Sequence, residues 1–558
     1  MASNEYSGAP NVVVANNDEL LTKIDHQVLK DAAKADEAEH KISLADAFRT
    51  HKKAILWSMA LSGALIMEGY DVVVIGSFYG HPAFLKRFGV PVPLSVSENG
   101  YVIPADWQSA LSNGSSAGGI IGLLINGWAS DRFGPKRVMM VAIVALTCFI
   151  FVMVFANSLG MLVAAEVLCG IPWGIFQTLT TAYASEVCPI QLRGYLTAYV
   201  NLCWGVGILL SSGVVKATVP IASDWSWRIP FVVQWVWVIP LFLIVCFSPH
   251  SPWWLVRQGR LEEAEDTLIK LTNPEYFSRE DAKNTVAMMI HTNELEKQVS
   301  AGTSYIDCFR GIDRRRTEVT MMVFAMQLLS GQNLIGQGVQ FLQTAGISTN
   351  LAFSLNMVLN SMFIIGTFFS WGLLRIMGRR TIYFFGMATM ATMLVVIGGL
   401  GFAHSNGAVY TIGGLLIGLN FIYNASLGPV CYTLIGELSS TRLRQKSVAL
   451  SRIAYQIMNI ICGIIVPRML SPTAWNWGAK SGLFWAGSAG LCTAYIFLRL
   501  PETKHRAYGE LDVLFEQGVP AWRFKGTKVD QFSTHEQPAF SSEHEKKEVN
   551  QDIAHLEH

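Results

Sequence analysis

The chain has 558 residues, of which 51% are hydrophobic and only 15% charged, and its mean hydropathy is +0.34. Soluble globular chains are less apolar than this, so the composition favours a membrane protein. The 42 Lys and Arg residues nearly balance the 41 Asp and Glu residues, which excludes the basic field of a nucleic-acid-binding protein.

The polar first fifty residues hold no long apolar core, so we expect a cytosolic amino terminus without a cleavable signal peptide. Crossing a membrane core of about 30 Å takes roughly 20 apolar residues. Twelve candidate spans follow, beginning near Ile55, Trp107, Val138, Gly160, Tyr195, Ile229, Glu318, Leu351, Thr381, Ala408, Val448 and Ser481.

The Lys and Arg residues of the loops indicate the orientation, because they accumulate on the cytosolic side. The loops after spans 2, 4, 8 and 10 carry them, whereas the loops after spans 3, 7 and 9 hold none. The long loop after span 1 is an exception with Lys86 and Arg87, but it also carries Glu98 and Asp106. We therefore expect both termini in the cytosol.

The chain divides into five predicted segments: a cytosolic tail (1–53), a six-helix half (54–247), a cytosolic linker (248–317), a second six-helix half (318–499) and a cytosolic tail (500–558). In the linker, Leu261, Ala264, Leu268 and Leu271 recur at helical spacing, which predicts a short amphipathic helix. The tail after Leu500 is polar and is predicted to be disordered.

The two halves repeat a set of short motifs at an offset of about 250 residues. "SEVCPIQLRG" contains Glu186 and Arg193, and "GELSSTRLRQ" contains Glu437 and Arg444 at the same spacing. "DRFGPKR" after span 2 is repeated by "IMGRR" after span 8, and "SPHSP" by "RLPETK". A duplicated six-helix unit is typical of transporters, whose site lies near the midplane between the halves.

Span 1 carries two acids, Glu68 and Asp71, within the apolar stretch "ALIMEGYDVVVIGSFYG". A charge in mid-membrane costs roughly 2.5–3.5 kcal/mol, and the spacing of three places both acids on one helix face. A carboxyl group that meets both water and an apolar wall can take up and release a proton, as a proton carrier must. Alternatively, both acids line a water-filled cavity.

Two further charges lie inside predicted spans, Glu166 in span 4 and Arg452 in span 11. Acids close together repel each other unless one of them holds a proton, although Glu166 near the outer interface could simply face water. Arg452 lies near the cytosolic end of its span. It either extends to the interface or meets Asp71 or Glu68 as a counter-charge in one state of a transport cycle.

Amides and aromatic residues recur on the faces of several spans, a pattern that suits a sugar because its edges carry hydroxyls and its faces carry C–H groups. The sets are Trp173 and Gln177 in span 4, Gln327, Gln332, Asn333 and Gln337 in span 7, Asn420, Tyr423 and Asn424 in span 10, and Tyr455, Gln456 and Asn459 in span 11. The alternative for any single amide is a hydrogen bond between helices.

The motifs together resemble the sugar porter family of the major facilitator superfamily over about Ile55 to Lys504. The resemblance rests on "GWASDRFGPKR", "EVCPIQLRG", "SPHSPWWL", "QLLSGQNLIG", "GELSSTRLR" and "PETK". "EGYDVVVIGSFYGHPAF", "CGIPWGIFQTLTTAYASEVCP" and "SRIAYQ" look like the fungal α-glucoside:proton symporters of the maltose permease type. The implied fold is an all-α membrane protein with twelve transmembrane helices in two six-helix halves, the major facilitator fold.

The resemblance also implies roles for individual residues. Asp71 matches the family's proton-binding aspartate. Glu68, Glu166 and Arg452 are added as coupling candidates because they are the other charges inside the spans, and Glu166 is a departure from the family, since many sugar porters carry an Arg there. Leu328 replaces the second Gln of the family's usual pair. The expected sugar-binding residues are Asn201, Gln327, Gln332, Asn333, Asn424, Tyr432 and Asn459, with Asn360 as a weaker match and Gln177 added from its helical spacing.

Charged residues at the cytosolic helix ends are predicted gates that pair across this face and hold it shut in the outward-open state. An exposed ion pair contributes only about 0–1 kcal/mol, so a network is needed. The alternative is that the basic residues merely follow membrane topology. The predicted gating residues are Asp131, Arg132, Arg137, Glu186, Arg193, Arg379, Glu437 and Arg444.

The sequence therefore predicts a proton-coupled importer of α-glucosides, with maltose as the first candidate, that works as a monomer in the plasma membrane. Its partners are the sugar, a proton and the bilayer. No cofactor or metal is expected, and no nucleophile–base set of an enzyme is found. Two alternatives remain: a uniporter, against which the span 1 acids argue, and a sugar sensor that signals through its tails.

Overall fold

Long helices occupy the positions of all twelve predicted spans in the computed structural model. It describes residues 42–94, 97–300, 304–403, 405–439, 443–504 and 508–524, with Asp31, Lys34, Ala35, Arg506, Gly526 and Thr527. Spans 1 to 6 are Lys52–Ser62 with Ala64–Phe78, Ala105–Phe133, Pro135–Val154, Leu159–Val187, Ile190–Thr218, and Trp225–Val233 with Trp235–Phe247. Spans 7 to 12 are Gly311–Gln327 with Asn333–Gly336 and Gly338–Thr344, Thr349–Ile376, Arg379–Leu400, Asn406–Ala425 with Leu427–Leu438, Arg444–Leu470, and Ser481–Arg499.

Eleven of these spans are long and apolar enough to cross a membrane, counted over the described residues alone. The remaining one is span 2, which is interrupted by Gln108, Asn113 and Asn126. Some helices are longer than the apolar runs from which the sequence predicts them. Span 7 begins at Gly311, ahead of the predicted start at Glu318, because the polar turns of "GIDRRRTEV" continue the helix beyond its apolar part.

Short elements connect the spans at the two ends of the bundle. The connections include the helices Pro82–Phe88, Pro252–Arg257, Leu261–Leu271 and Arg279–Ser300, and the 3-10 turns Tyr305–Phe309 and Gly478–Lys480. The helix Leu44–Thr50 precedes span 1, and the helix Tyr508–Glu516 and the 3-10 turn Ala521–Arg523 follow span 12. The strands Val90–Pro91 and Tyr101–Val102 pair antiparallel between spans 1 and 2, with Val90 opposite Val102. We call the bundle end with these strands the hairpin face, and the end that carries residues 248–310 the linker face.

The helix Leu261–Leu271 on the linker face buries Ala264, Leu268 and Leu271, as their spacing predicts. Leu261, at the first position, stays 39% exposed. Ala264 and Leu268 form a small core with Trp254, Leu255 and Val286 of the neighbouring linker helices, while Leu271 packs into the main core of the bundle. The linker is thus a packed helical unit.

The predicted disorder after Leu500 is wrong for residues 508–524. Leu511, Leu514 and Phe515 of the helix Tyr508–Glu516 are buried, because their spacing of three and four gives a short apolar stripe. The guanidinium of Arg316 lies 4.9 Å from the centre of the Phe515 ring and so joins this helix to span 7. Residues beyond 527 lie outside the described chain.

Four of the spans are interrupted within their length. Span 7 contains a π-helical turn at Leu328–Gln332, where Gly331 takes φ 85°, a left-handed conformation that favours glycine. Span 10 breaks at Ser426, with φ −127° and ψ −76°. Span 6 is divided at Gln234, and span 1 at Gly63. Interrupted helices of this kind form the binding sites of many transporters.

The two halves meet closely at the hairpin face. Gln343 Nε2 donates to the main-chain oxygen of Gly80 at 3.0 Å. Both the main-chain nitrogen and Oγ1 of Thr349 donate to Glu98 Oε2, at 3.0 and 2.7 Å. A Cβ at Gly76 would lie 2.3 Å from the main-chain oxygen of Gly336, so the two backbones touch there. The structure is therefore closed at the hairpin face.

Candidate functional site

Asp71 lies in the middle of the amino-terminal half and is 1% exposed. Its Oδ1 accepts a hydrogen bond of 2.7 Å from Gln234 Nε2, at the junction between the two helices of span 6. Gln234 itself is fully buried. A buried carboxyl group needs such a donor, because burying it without hydrogen bonds is costly. The acid that the sequence singled out is thus removed from bulk water and held by an amide of its own half.

Glu68, one helical turn before Asp71, takes part in a different hydrogen-bond chain. It is 3% exposed, and its Oε1 accepts from Gln177 Nε2 of span 4. Gln177 Oε1 in turn accepts from Arg452 Nη2 of span 11. The chain therefore connects an acid of the amino-terminal half to a guanidinium of the carboxy-terminal half.

Arg452 points inward and does not extend to the membrane interface. Its guanidinium lies 5.0 Å from the centre of the Tyr455 ring and 5.7 Å from that of Phe324. Cation–π contacts of this kind hold a guanidinium in place where water is excluded. The hydrogen bonds of Arg452 lead through Gln177 to Glu68, and its role as a counter-charge stays a prediction.

Glu166 is also buried, with 2% of its surface exposed, so in this structure it does not face water. It packs against span 2, where a Cβ at Gly114 would lie 2.8 Å from the Glu166 Cβ. The charge of Asp71 acts on it. Three acids predicted from the sequence, Glu68, Asp71 and Glu166, thus share the interior of one half.

The interrupted parts of spans 7 and 10 bring several predicted sugar-binding amides together. Gln327 donates to the main-chain oxygen of Gly428 at 3.4 Å and accepts from the Tyr423 hydroxyl at 3.4 Å. Asn424 donates to the main-chain oxygen and to Oδ1 of Asn420, both at 2.9 Å. Asn333 begins the short helix that follows the π-helical turn.

Four buried amide oxygens of spans 7 and 10 have no hydrogen-bond donor among the described residues. Such oxygens can accept further hydrogen bonds. They belong to Gln332, Gln337, Gln340 and Asn424.

Other predicted sugar contacts lie in hydrogen bonds between the halves. Asn459 of span 11 donates to Ser116 of span 2 at 2.8 Å. Asn201 of span 5 donates to Thr367 of span 8 at 3.5 Å. Asn360 of span 8, the weaker match, donates to Ser212 of span 5 at 2.7 Å. Tyr432 is 50% exposed, with its ring 5.7 Å from that of Phe324.

The predicted gating acids make ion pairs at the linker face. Glu186 pairs with Arg257 of the linker at 3.4 Å and accepts from Ser251 Oγ. Glu437 pairs with Arg379 at 3.3 Å. The Glu437–Arg379 pair lies within the carboxy-terminal half. The Glu186–Arg257 pair joins the amino-terminal half to the linker that follows it. The side chains of Arg193 and Arg444 lie outside the described part of the chain.

The remaining gating candidates after span 2 are exposed. The main-chain oxygen of Asp131 accepts from Trp254 Nε1 at 3.3 Å and from Gln258 Nε2 at 3.1 Å. Arg132 lies 5.8 Å from the ring centre of Trp128, and Arg137 is exposed. Asp131 thus ties span 2 to the linker through its backbone.

Sequence reasoning missed Gln234 and the contact between Asp106 and Arg468. Gln234 is the amide inside an uncharged apolar span, and that isolation was the available signal. The sequence indicates for Asp106 only a loop charge, whereas Arg468 Nη2 of the other half donates to its Oδ1 at 2.7 Å. No pattern within one helix indicates such a partner.

Two six-helix halves, interrupted helices and buried polar groups at their interface define a secondary membrane transporter. The sequence model of the Sugar (and other) transporter family matches residues 56–515, and the chain belongs to this family.

The chain is 38% identical to the maltose permease MAL31 of Saccharomyces cerevisiae over 533 residues, which cover 95% of this chain and 86% of that permease. It is 38% identical to the alpha-glucosides permease MPH3 of Saccharomyces cerevisiae (strain YJM789) over 543 residues, 96% of this chain and 89% of MPH3. The fold is similar to that of XylE from E. coli, a proton:xylose symporter solved with 6-bromo-6-deoxy-D-glucose, with a TM-score of 0.65 and 20% identity over 83% of this chain and 100% of XylE. This likeness shows that the chain and XylE share the major facilitator fold.

Proposed function

We propose that this protein imports α-glucoside disaccharides together with protons across the plasma membrane, with maltose as the first substrate to test. The sugar class follows from relatives of 38% identity that are named maltose and alpha-glucosides permeases. The linker face is the cytosolic side, and both termini lie there. The protein works as a monomer within the bilayer.

The observation that carries proton coupling is the burial of Asp71 at 1% exposure in a membrane-spanning helix. Keeping a charge there costs several kcal/mol, so a proton taken up from outside neutralises a group that the membrane disfavours. Gln234 stabilises the ionised form by donating to Oδ1. Asp71 therefore has a stabilised charged state and a readily accommodated neutral state, as a proton carrier requires. Glu68, Glu166 and Arg452 modulate it.

The sugar binds between the halves at the breaks of spans 7 and 10. The unpaired oxygens of Gln332 and Asn424 accept from sugar hydroxyls, and Gln327 and Asn333 contribute to the same site. In this hairpin-closed structure Asn201 and Asn459 bond to the opposite half, and they become free for sugar when the halves separate there. Tyr432, half exposed, supplies an aromatic face. Gln177, the remaining predicted sugar residue, bonds to Glu68 and Arg452.

The transport cycle rocks the two halves about this site. The outward-open state admits the sugar and loads the proton on Asp71, and closure at the hairpin face leads to the present arrangement. Release follows on the cytosolic side. Sugar binding of around millimolar affinity supplies only about −4 kcal/mol, whereas each proton gains about 2.3 kcal/mol per 100 mV of membrane potential. The proton therefore drives uphill uptake.

The linker-face charges act as the cytosolic gate. Glu186 and Glu437 now pair with Arg257 and Arg379, and in the outward-open state they exchange these partners for charges of the opposite half. Asp131, Arg132 and Arg137 at the end of span 2 belong to the same network, as do Arg193 and Arg444. Because each exposed pair contributes about 0–1 kcal/mol, the gate depends on the whole set.

The test follows the external pH of an unbuffered suspension of cells that lack other disaccharide carriers and express this chain. Maltose is added while uptake of labelled maltose is measured in parallel. We expect prompt alkalinisation, and we expect Asp71→Asn to abolish it. Labelled uptake without alkalinisation would identify a uniporter. Absence of both signals from correctly localised protein would refute maltose transport.

A further inference from the structure

The side chain of Gln177 joins the two halves through opposite ends of one amide. The Nε2 end donates to the carboxylate of Glu68 in span 1, and the Oε1 end accepts from the guanidinium of Arg452 in span 11. An amide is the side-chain group that offers a donor and an acceptor at such a spacing. Because Arg452 belongs to the other half, Gln177 lies at the interface of the halves, where it is only partly buried.

The second acid of span 1 is bound differently. Asp71 accepts from Gln234, and both residues belong to the amino-terminal half. Rocking of the halves therefore leaves this bond unchanged. Glu68, three residues earlier on the same helix, is the acid whose hydrogen-bond chain crosses between the halves.

Few charged groups face Glu68 within the described residues. Arg452 of span 11 and Asp71 of the same helix act on its charge, and its charge acts on Tyr455 of span 11. The guanidinium stays ionised under all conditions in which the protein works. The variable that sets the attraction along this chain is therefore the protonation of Glu68.

We infer that Gln177 is a positioning residue of proton coupling and not a sugar contact. It holds Glu68 and Arg452 on opposite sides of the interface, so that an ionised Glu68 draws the halves together and a protonated one releases them. A hydrogen bond between charged groups is about twice as strong as one between neutral groups, which is the difference that the proton switches. The inference rests on the proposed symport.

The test compares Gln177→Leu with wild type in two assays. The first is counterflow of labelled maltose at equal pH on both sides, which reports sugar binding without a proton gradient. The second is the alkalinisation per labelled maltose taken up. We expect the counterflow half-saturation to stay within about twofold of wild type, and the proton-to-sugar ratio to fall by about tenfold, as expected for one lost charge-assisted hydrogen bond.

The matched control is Asn126→Leu. Asn126 donates to Thr178 Oγ1 at 2.7 Å within the same half, so its loss removes a bond between helices but no bridge between the halves, and the ratio should remain that of wild type. A second variant, Gln177→Glu, replaces the donor to Glu68 by an acid that competes with Glu68 for the proton and for Arg452. We expect it to keep counterflow and lose the dependence on protons.

The outcomes separate the two claims. A counterflow half-saturation raised by about tenfold with an unchanged ratio would make Gln177 a sugar contact and overturn the inference. An unchanged ratio in both Gln177 variants would overturn it as well, while wild-type alkalinisation left the proposed symport standing. Maltose uptake by wild type without alkalinisation would refute the symport and the inference with it.

Discussion

Arg468 of span 11 donates to Asp106 of span 2 across the two halves, with 2.7 Å between Nη2 and Oδ1. The pair is the outermost of a row of polar contacts between span 2 and span 11, which we call the polar seam. At the inner end of the seam, Asn459 donates to Ser116 at 2.8 Å. The seam residues of span 2 recur every three or four positions and so share one face. They are Asp106, Ser109, Asn113 and Ser116, opposite Asn459, Gly463, Ile464 and Arg468.

The seam predicts that Gly463 is needed for closure at the hairpin face. A Cβ at Gly463 would lie 2.2 Å from Asn113 Oδ1. Overpacking typically costs about 1–3 kcal/mol, so we expect Gly463→Ala to lower the initial rate of labelled maltose uptake by about tenfold. External maltose should still bind, because the open state is not strained.

Two variants control this prediction. Gly414 in span 10 has no atom within 4 Å of the position of a Cβ, and Gly414→Ala should transport at the wild-type rate. Shortening the opposing side chain in Asn113→Ala/Gly463→Ala should restore most of the rate. A double variant as slow as Gly463→Ala would contradict the steric explanation.

The ion pair at the end of the seam should matter less than the glycine. The Asp106 side chain is 84% exposed and that of Arg468 31%, and exposed pairs contribute about 0–1 kcal/mol. We therefore expect Asp106→Asn to slow uptake by less than about fivefold, with the difference from wild type vanishing at high salt. Initial rates at low and high ionic strength measure it. A large loss that salt does not reduce would show that the pair acts as a buried one.

Much of the fold could be predicted because apolar runs and the duplicated motifs depend on sequence alone. Helix ends could not, since the polar turns before Glu318 continue span 7 without any apolar signal. The packed helix Tyr508–Glu516 was missed for a similar reason. Its apolar stripe is short and lies in a polar tail, and its partner Arg316 is far away in the sequence.

The candidate site was only partly predictable. Glu68, Asp71 and Arg452 stand out because charges are rare in membrane spans. Their partners depend on how distant helices pack, so the sequence does not show that Gln234, the single amide of span 6, donates to Asp71. Asn459 is an amide assigned to sugar, but in this closed structure it bonds to Ser116. Amides that bind sugar and amides that join helices look alike in a sequence.

Gln234 is predicted to be required for coupling. From span 6, Gln234 donates a hydrogen bond to the carboxylate of Asp71. A hydrogen bond to a charged group is worth about 1.5–3 kcal/mol. We expect Gln234→Leu to lower the accumulation ratio of labelled maltose by about tenfold or more, with energy-independent counterflow retained. Gln234→Glu places a second acid beside Asp71 and should uncouple similarly. Normal accumulation in both variants would exclude this role.

His81 on the hairpin face predicts a loss of stability in acid. Burial lowers its pKa from 6.5 to about 4, and Ser226 Oγ lies 3.2 Å from its Nε2. The unfolded chain binds this proton more tightly than the folded one. The stability that comes from burying neutral His81 is therefore fully present above about pH 6.5. Below that, the free energy of unfolding falls by up to about 1.4 kcal/mol per pH unit towards pH 4.

Thermal unfolding of the purified protein in detergent measures the effect. We expect the Tm to decrease between about pH 6.5 and pH 4.5, and to decrease less steeply in His81→Gln. His291→Gln, in the linker helix Arg279–Ser300, is the matched control and should follow the wild-type slope. Equal slopes for wild type and His81→Gln would assign the acid sensitivity to other groups.

Gly331 should be required for the shape of the sugar site. It takes φ 85° in the π-helical turn between Gln327 and Asn333, and a left-handed conformation costs other residues roughly 1–2 kcal/mol. A Cβ there would also lie 3.0 Å from Leu394 Cδ1 and 3.2 Å from Trp485 Cβ. We expect Gly331→Ala to lower the Tm and to raise the half-saturation for maltose in counterflow by about tenfold, because the turn sets the positions of the amides on either side of it.

The control is Gly336→Ala, a few residues further along the same span, where nothing lies within 4 Å of the position of a Cβ. If both variants weaken sugar binding equally, the general packing of span 7 and not the conformation at Gly331 governs the site.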